Sequence, residues 1–166
     1  MTKTQSGYTL IEILIVILIV SIVAAVALLT TSYNQNKQIQ TLSEEIANLL
    51  SLVSEEAMLR PATIGLAFTP TTFDFYLYQE NSEHKLVWQP IAKSPLNLHH
   101  YSKSIKITIK IHGKVMSLNG KPQIIITPSG DSATFTILFG DKNGRPRYQV
   151  IEYLDGTIKS EPYHEK

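Results

Sequence analysis

Gly7-Tyr8-Thr9-Leu10-Ile11-Glu12, running into the aliphatic stretch Ile13 to Leu29, is the part of the chain whose reading decides the rest. Those seventeen residues contain one polar side chain, Ser21, and otherwise only Ile, Leu, Val and Ala. With Tyr8 to Glu12 in front, the segment reaches about 20 residues, the length an α-helix needs to cross the hydrocarbon core of a membrane. The spacing predicts a transmembrane helix over about residues 8–30. Glu12 is the anomaly. A carboxylate at the edge of the hydrocarbon costs on the order of a few kcal/mol unless it meets a partner or reaches the interface. Three readings compete. A single-pass anchor tolerates Glu12 but has no use for it. A secretory signal peptide could use Lys3 and the small residues Ala25-Val26-Ala27, yet the apolar core is longer than a usual signal core. In an assembly helix, Glu12 meets a positive group of another subunit.

The stretch from Gly7 to Glu12 resembles the prepilin cleavage motif of type IV pilins and of the pseudopilins of type II secretion. In that family a prepilin peptidase cuts after the glycine and methylates the new N-terminal residue, usually Phe. A glutamate at the fifth mature position is kept for assembly. The resemblance implies a leader of residues 1–7, cleavage between Gly7 and Tyr8, N-methylation of Tyr8, and Glu12 as the assembly glutamate. Tyr in place of Phe keeps an aromatic ring beside the scissile bond. Pairing a buried carboxylate with a buried N-terminal ammonium relieves part of the desolvation cost of each and sets register. Lys3 in the leader suggests a cytoplasmic N-terminus in the inner membrane, with residues 61–166 as a periplasmic β-rich domain.

Bulk properties narrow the field. At 166 residues the chain holds one domain beyond the apolar segment. A formal net charge of +1 gives no bulk argument for a nucleic acid or an acidic partner. Without cysteine there is no disulfide framework, so the domain rests on its core alone. The disulfide common in major type IV pilins is therefore absent, which favours a pseudopilin.

Beyond the apolar run, Ile39, Leu42, Ile46, Leu49, Leu50, Val53 and Ala57 recur at spacings of three and four, a stripe along one helix face. Pro61 ends the pattern, because the residue before proline is pushed out of helical geometry. A single helix is expected from about Tyr8 to Leu59, amphipathic over about residues 36–60, its stripe packed on the domain's own sheet. Many family members kink this helix at a proline. Leu29 stands at the matching place here, so no such break is expected.

From Thr63 the period becomes two. Strands are expected at Thr63–Phe68, Phe73–Tyr78, Lys85–Gln89, Ser104–His112, Gln123–Thr127, Ala133–Phe139, Tyr148–Tyr153 and Thr157–Lys159. Ile105, Ile107, Ile109 and Ile111 alternating with Lys106, Thr108 and Lys110 form the clearest of them. Pro90–Tyr101 reads as loop, Gly113–Pro122 as a long connection, and Ser160–Lys166 as a loose polar tail. The fold class is α+β: a long N-terminal helix, first half transmembrane, packed on an antiparallel, pilin-like β-sheet domain.

Nothing in the sheet region has the spacing of a catalytic or cofactor motif, so no enzymatic activity, cofactor or metal is expected. The five histidines are scattered. Only His99 and His100 are adjacent, and neighbours in extended backbone would point oppositely, so all five read as ordinary surface histidines. Asp141 and Asn143 in a glycine-flanked turn are similar to the start of a calcium loop, but the downstream acidic ligand is missing and a hairpin accounts for them. Gly144-Arg145-Pro146-Arg147 resembles the Gly-Arg-x-Arg signature of DNA-binding minor pilins of the fimbrial T type. That likeness supports an alternative, a minor type IV pilin in pilus assembly or DNA uptake whose Arg145 and Arg147 contact phosphates. In that family the signature lies almost at the C-terminus, whereas here about twenty residues follow.

A broader likeness competes with it. Leu42-Ser43-Glu44-Glu45-Ile46 through Arg60, Ile64-Gly65-Leu66, Phe73 to Tyr78 before Trp88-Gln89-Pro90-Ile91, and Pro128-Ser129-Gly130-Asp131 with Phe135-Thr136-Ile137 are similar to the H-type minor pseudopilins. That resemblance implies a structural subunit at or near the tip of a periplasmic pseudopilus that drives protein export across the outer membrane. Its partners would be the prepilin peptidase, other minor and major pseudopilins in a hetero-oligomeric filament, inner-membrane lipid, and exported proteins.

Overall fold

In a computed structural model that describes residues 9–129 and 133–165, the side chains of residues 26–33 excepted, the chain forms one helix and ten strands. It divides into two compact units, residues 1–37 and 38–166. Helix α1 (Leu10–Leu59) begins where Thr9 caps it: the Glu12 backbone N–H donates to the Thr9 carbonyl (3.1 Å) and to its Oγ1 (3.3 Å). The backbone stays helical through Leu29, and the Arg60 N–H makes the last turn's bond to the Glu56 carbonyl (2.9 Å) just before Pro61.

In the second unit the seven stripe residues of α1 are all buried, none more than 8% exposed. They join a single apolar cluster with strands β1 (Thr63–Phe68), β2 (Thr72–Glu80), β5 (Lys106–Ile111), β7 (Pro122–Ile126), β8 (Phe135–Gly140) and β9 (Pro146–Glu152). Five phenylalanines, Phe68, Phe73, Phe75, Phe135 and Phe139, fill its centre. Each such side chain contributes roughly 1.5–3 kcal/mol by leaving water. Ser43 also lies fully buried on this face. Its Oγ donates to the Gln40 carbonyl (2.8 Å) and lies 2.7 Å from Ser160 Oγ, tying the helix to β10 (Ile158–Pro162).

One sheet was expected and two are present. The first runs β3 (Leu86–Pro90)-β2-β1-β7, with β4 (His99–His100) paired to the start of β2; the second runs β10-β9-β8-β5-β6 (Lys114–Met116). All pairings are antiparallel. Three expected loops therefore carry strands. His99–His100 completes the edge of β2, Lys114–Met116 folds back on β5, and Ile158–Pro162 extends into the expected loose tail along β9. In each case cross-strand hydrogen bonding, which no local periodicity encodes, orders a short segment. The turn expected at Pro128-Ser129-Gly130-Asp131 falls partly outside the described residues.

Two residues hold the first sheet together where its ladder is irregular. The β1–β7 register shifts between Leu66 and Ala67, and Pro122 brings no N–H to the pairing. The buried side chain of Gln123 stands in for a peptide group there. Its Oε1 accepts from the Phe68 N–H (2.8 Å), while Nε2 donates to the carbonyls of Phe68 (3.3 Å) and Ser117 (3.0 Å). At Gly65 a Cβ would lie 2.6 Å from Pro122 Cβ and 2.8 Å from Trp88, so only glycine lets those two side chains cover β1. Gln123→Leu, similar in size but without polar atoms, leaves the Phe68 peptide groups unpaired and should cost about 1–3 kcal/mol. Thermal unfolding of the detergent-solubilised chain should show this as a drop of about 2–10 °C, with helix content retained before the transition.

Candidate functional site

The features that bear on function lie in three places: the aliphatic part of α1, the turn between β8 and β9, and the segment around His99. In the first unit, Leu10 to Val23 present bare aliphatic side chains, from Ile15 at 47% exposed to Leu10 at 84%. A run of this kind marks a surface that another apolar phase or protein covers. Ser21, the one polar side chain in this run after Glu12, is satisfied internally by donating to the Ile17 carbonyl (2.7 Å). Among the described residues no helix is long and apolar enough to cross a membrane; the end of the apolar run, Val26 to Leu29, lies where side chains are not described. Gly7 and Tyr8 also lie outside the described residues.

Glu12 is exposed in the first turn of α1, three residues after the capping Thr9. Thr9-x-x-Glu12 is the spacing of a capping box, a local signal the sequence contained. The helix dipole favours a carboxylate at this position. Its charge is thus placed where it is tolerated in the separate chain and accessible to a cation from outside.

At the β8–β9 turn the structure brings Arg145 and Arg147 close together but not as a free pair. Asp141, only 6% exposed, accepts from the backbone N–H groups of Asn143 (2.9 Å) and Arg145 (3.1 Å) through Oδ1. Its Oδ2 accepts from Arg147 Nη2 (2.9 Å) and Nε (3.3 Å). The Arg147 guanidinium is committed to this carboxylate; the Arg145 side chain points to solvent. Burial pushes the Asp141 carboxyl upward, but the Arg147 and backbone hydrogen bonds outweigh it and hold it below the usual carboxylate range. The same contacts occupy the oxygens a calcium ion would need. Among the described residues no group of three or more His, Cys, Asp and Glu side chains is placed to hold a metal ion.

His99, read from sequence as an ordinary surface histidine, is integrated into the domain. Its ring stacks on Phe73 (4.6 Å between centroids, 10° between planes). Nδ1 lies 3.0 Å from Glu45 Oε1 on α1, and Nε2 lies 2.8 Å from the Pro95 carbonyl. Nearby, Tyr101 donates its hydroxyl to the Thr69 carbonyl, and burial raises its pKa to about 12. These contacts fasten the β3–β4 segment, which walls an open apolar groove of about 760 Å³ with Leu52, Ile64 and Leu77.

A long N-terminal helix with an aliphatic first part and a striped second part, the latter buried on antiparallel sheets, defines a pilin-like subunit. A family model described as the prokaryotic N-terminal methylation motif matches residues 2–28, and the Type II transport protein GspH model matches residues 42–154. The chain belongs to the Type II transport protein GspH family, and so is a minor pseudopilin of type II secretion. It is similar to the type II secretion system protein H of Pseudomonas aeruginosa, 23% identical over 158 residues, spanning 87% of this chain and 88% of that protein. The protein of the same name from Pectobacterium carotovorum is 23% identical over 160 residues, covering 86% and 85%. Among solved structures, the minor pseudopilin EpsH from the type 2 secretion system of Vibrio cholerae shares the fold, with a TM-score of 0.65 at 16% identity, over 78% of this chain and 99% of that one.

The Asp141 contacts carry a pH dependence. Because the folded-state carboxyl is depressed, its contribution is fully present above the unfolded value of about 3.9 and is lost as pH falls through the lower folded value. Asp141→Asn should lower neutral-pH stability by about 1–3 kcal/mol and make the acid limb of the unfolding curve shallower than the parent's. Melting curves between neutral pH and about pH 3 measure both.

Proposed function

We propose that the chain is a structural, non-enzymatic subunit at or near the tip of a periplasmic pseudopilus that drives protein export. Residues 1–7 are the leader, removed between Gly7 and Tyr8 by a prepilin peptidase that also methylates the Tyr8 amine. The aliphatic part of α1 sits in the inner membrane, N-terminus cytoplasmic, until the subunit is drawn into the filament. There the aliphatic helices of successive pseudopilins bundle, and Glu12 receives a neighbouring subunit's terminal ammonium, each charge offsetting the other's desolvation.

The observation that carries this reading is the bare aliphatic run of α1 with one exposed carboxylate in its first turn. A plain anchor has no need of that carboxylate, and a secreted domain would lose it. Arg147, one of the two arginines a DNA contact would use, is already paired with Asp141, which favours the secretion reading over DNA uptake.

Intact mass and N-terminal sequencing of the membrane-extracted protein should find N-methyl-Tyr8 as the first residue. A terminus at Met1 or after Ala27 would overturn the reading. Glu12→Ala should leave membrane insertion and Tyr8 methylation intact and reduce incorporation into the filament at least tenfold, measured by sheared-filament immunoblot.

A further inference from the structure

The near-zero net charge conceals a strong segregation. Between Gln38 and Leu59, α1 carries Glu44, Glu45, Glu55 and Glu56 and no lysine or arginine. Between Tyr101 and Lys121 the chain carries five lysines and no acidic residue. Antiparallel register gathers part of that positive charge on one face. Ile105, just before β5, and Ile107 and Ile109 within it are buried in the core, so Lys106, Thr108 and Lys110 point outward. Lys110 pairs with Thr136, Thr136 with Ile151, and Ile151 with Lys159, so Lys159 joins the same outer row from β10. Thr108, Leu138 and Gln149 fill the next row, ending on Glu161, whose carboxylate already accepts from Gln149 (2.9 Å) and from the Tyr153 hydroxyl (3.0 Å). Among the described residues, neither Lys106 nor Lys110 forms an ion pair.

We propose that the outer face of the second sheet, bearing Lys106, Lys110 and Lys159, docks the acidic face of a neighbouring pilin-like subunit. The proposal rests on the filament reading above and adds to it a surface and a partner chemistry. Lys106 and Lys110 stand about 13 Å apart along β5, and Lys110 and Lys159 about 14 Å apart across three strand spacings. Point charges spaced so widely on a flat face suit separate carboxylates on a protein surface. A nucleic-acid duplex instead presents, on each strand, one phosphate for every ~3.4 Å of helix axis. The exposed side of α1 shows the matching pattern within this fold: Glu44 and Glu55 lie exposed, eleven residues or about 16 Å apart along the helix. Subunits of like fold and common polarity meet through two different faces, which a basic sheet opposite an acidic helix provides. Complementary charge of this kind sets register and encounter rate.

Thr108, between the two lysines, is the position for a photo-crosslinking p-benzoylphenylalanine in the full-length chain in secreting cells. A second probe at Ile19, in the aliphatic run, reports filament assembly independently. Mass spectrometry should place the Thr108 adduct on another N-methylated pilin-like subunit, within a peptide rich in Asp and Glu. Lys106→Glu with Lys110→Glu should reduce that adduct at least tenfold and leave the Ile19 adduct intact, while Lys106→Arg with Lys110→Arg should preserve both. A Thr108 adduct on lipid or nucleic acid, no Thr108 adduct while Ile19 reacts, or an adduct indifferent to charge reversal would overturn the docking surface. Loss of both adducts in the parent chain would overturn the filament reading and the docking surface with it.

Discussion

Everything in the globular unit depends on one burial: the stripe from Ile39 to Ala57 of α1 against the two sheets. Neither sheet could stand alone. Each contributes an apolar inner face to one cluster, in which helix side chains such as Ile46, Leu50 and Val53 join Phe68 and Phe75 of one sheet and Ile137 and Val150 of the other. With no disulfide to restrain the unfolded chain, that area of apolar contact carries the stability.

The polar groups drawn into this core are few, and each is answered. Ser43 is met by Ser160, Gln123 replaces missing ladder bonds at Phe68, and Asp141 gathers two backbone N–H groups and a guanidinium. All three stand where regular pairing fails: a helix–sheet contact, a register shift, a tight turn. An unpaired polar group at any of them would cost a sizeable part of a domain's small net stability. The surface is under no such demand for pairing, and there the charges separate into an acidic helix and a basic sheet face.

The aliphatic part of α1 obeys a different constraint. Its side chains find no core of their own and await lipid or neighbouring helices, so a subunit of this type is finished only in company. Its place in the first turn, at the positive end of the helix dipole, makes the Glu12 carboxylate tolerable until then.

Much of this was legible in the residues themselves. The 3.6-residue period of the stripe, the two-residue period of Ile105 to Ile111 and the motif from Gly7 to Glu12 are local patterns, and helix, strands and family followed from them. The partition into two sheets, the strands at His99–His100 and Lys114–Met116, the stacking of His99 on Phe73 and the capture of Arg147 by Asp141 were not legible. They depend on which distant segments pair, and a short polar strand has no periodicity until its partner supplies one. Sequence alone therefore determined what kind of subunit this is, because solvent preference is written residue by residue. Only the tertiary structure decided which charges are spent inside the domain and which are left facing out, because register, not composition, sets what each side chain meets.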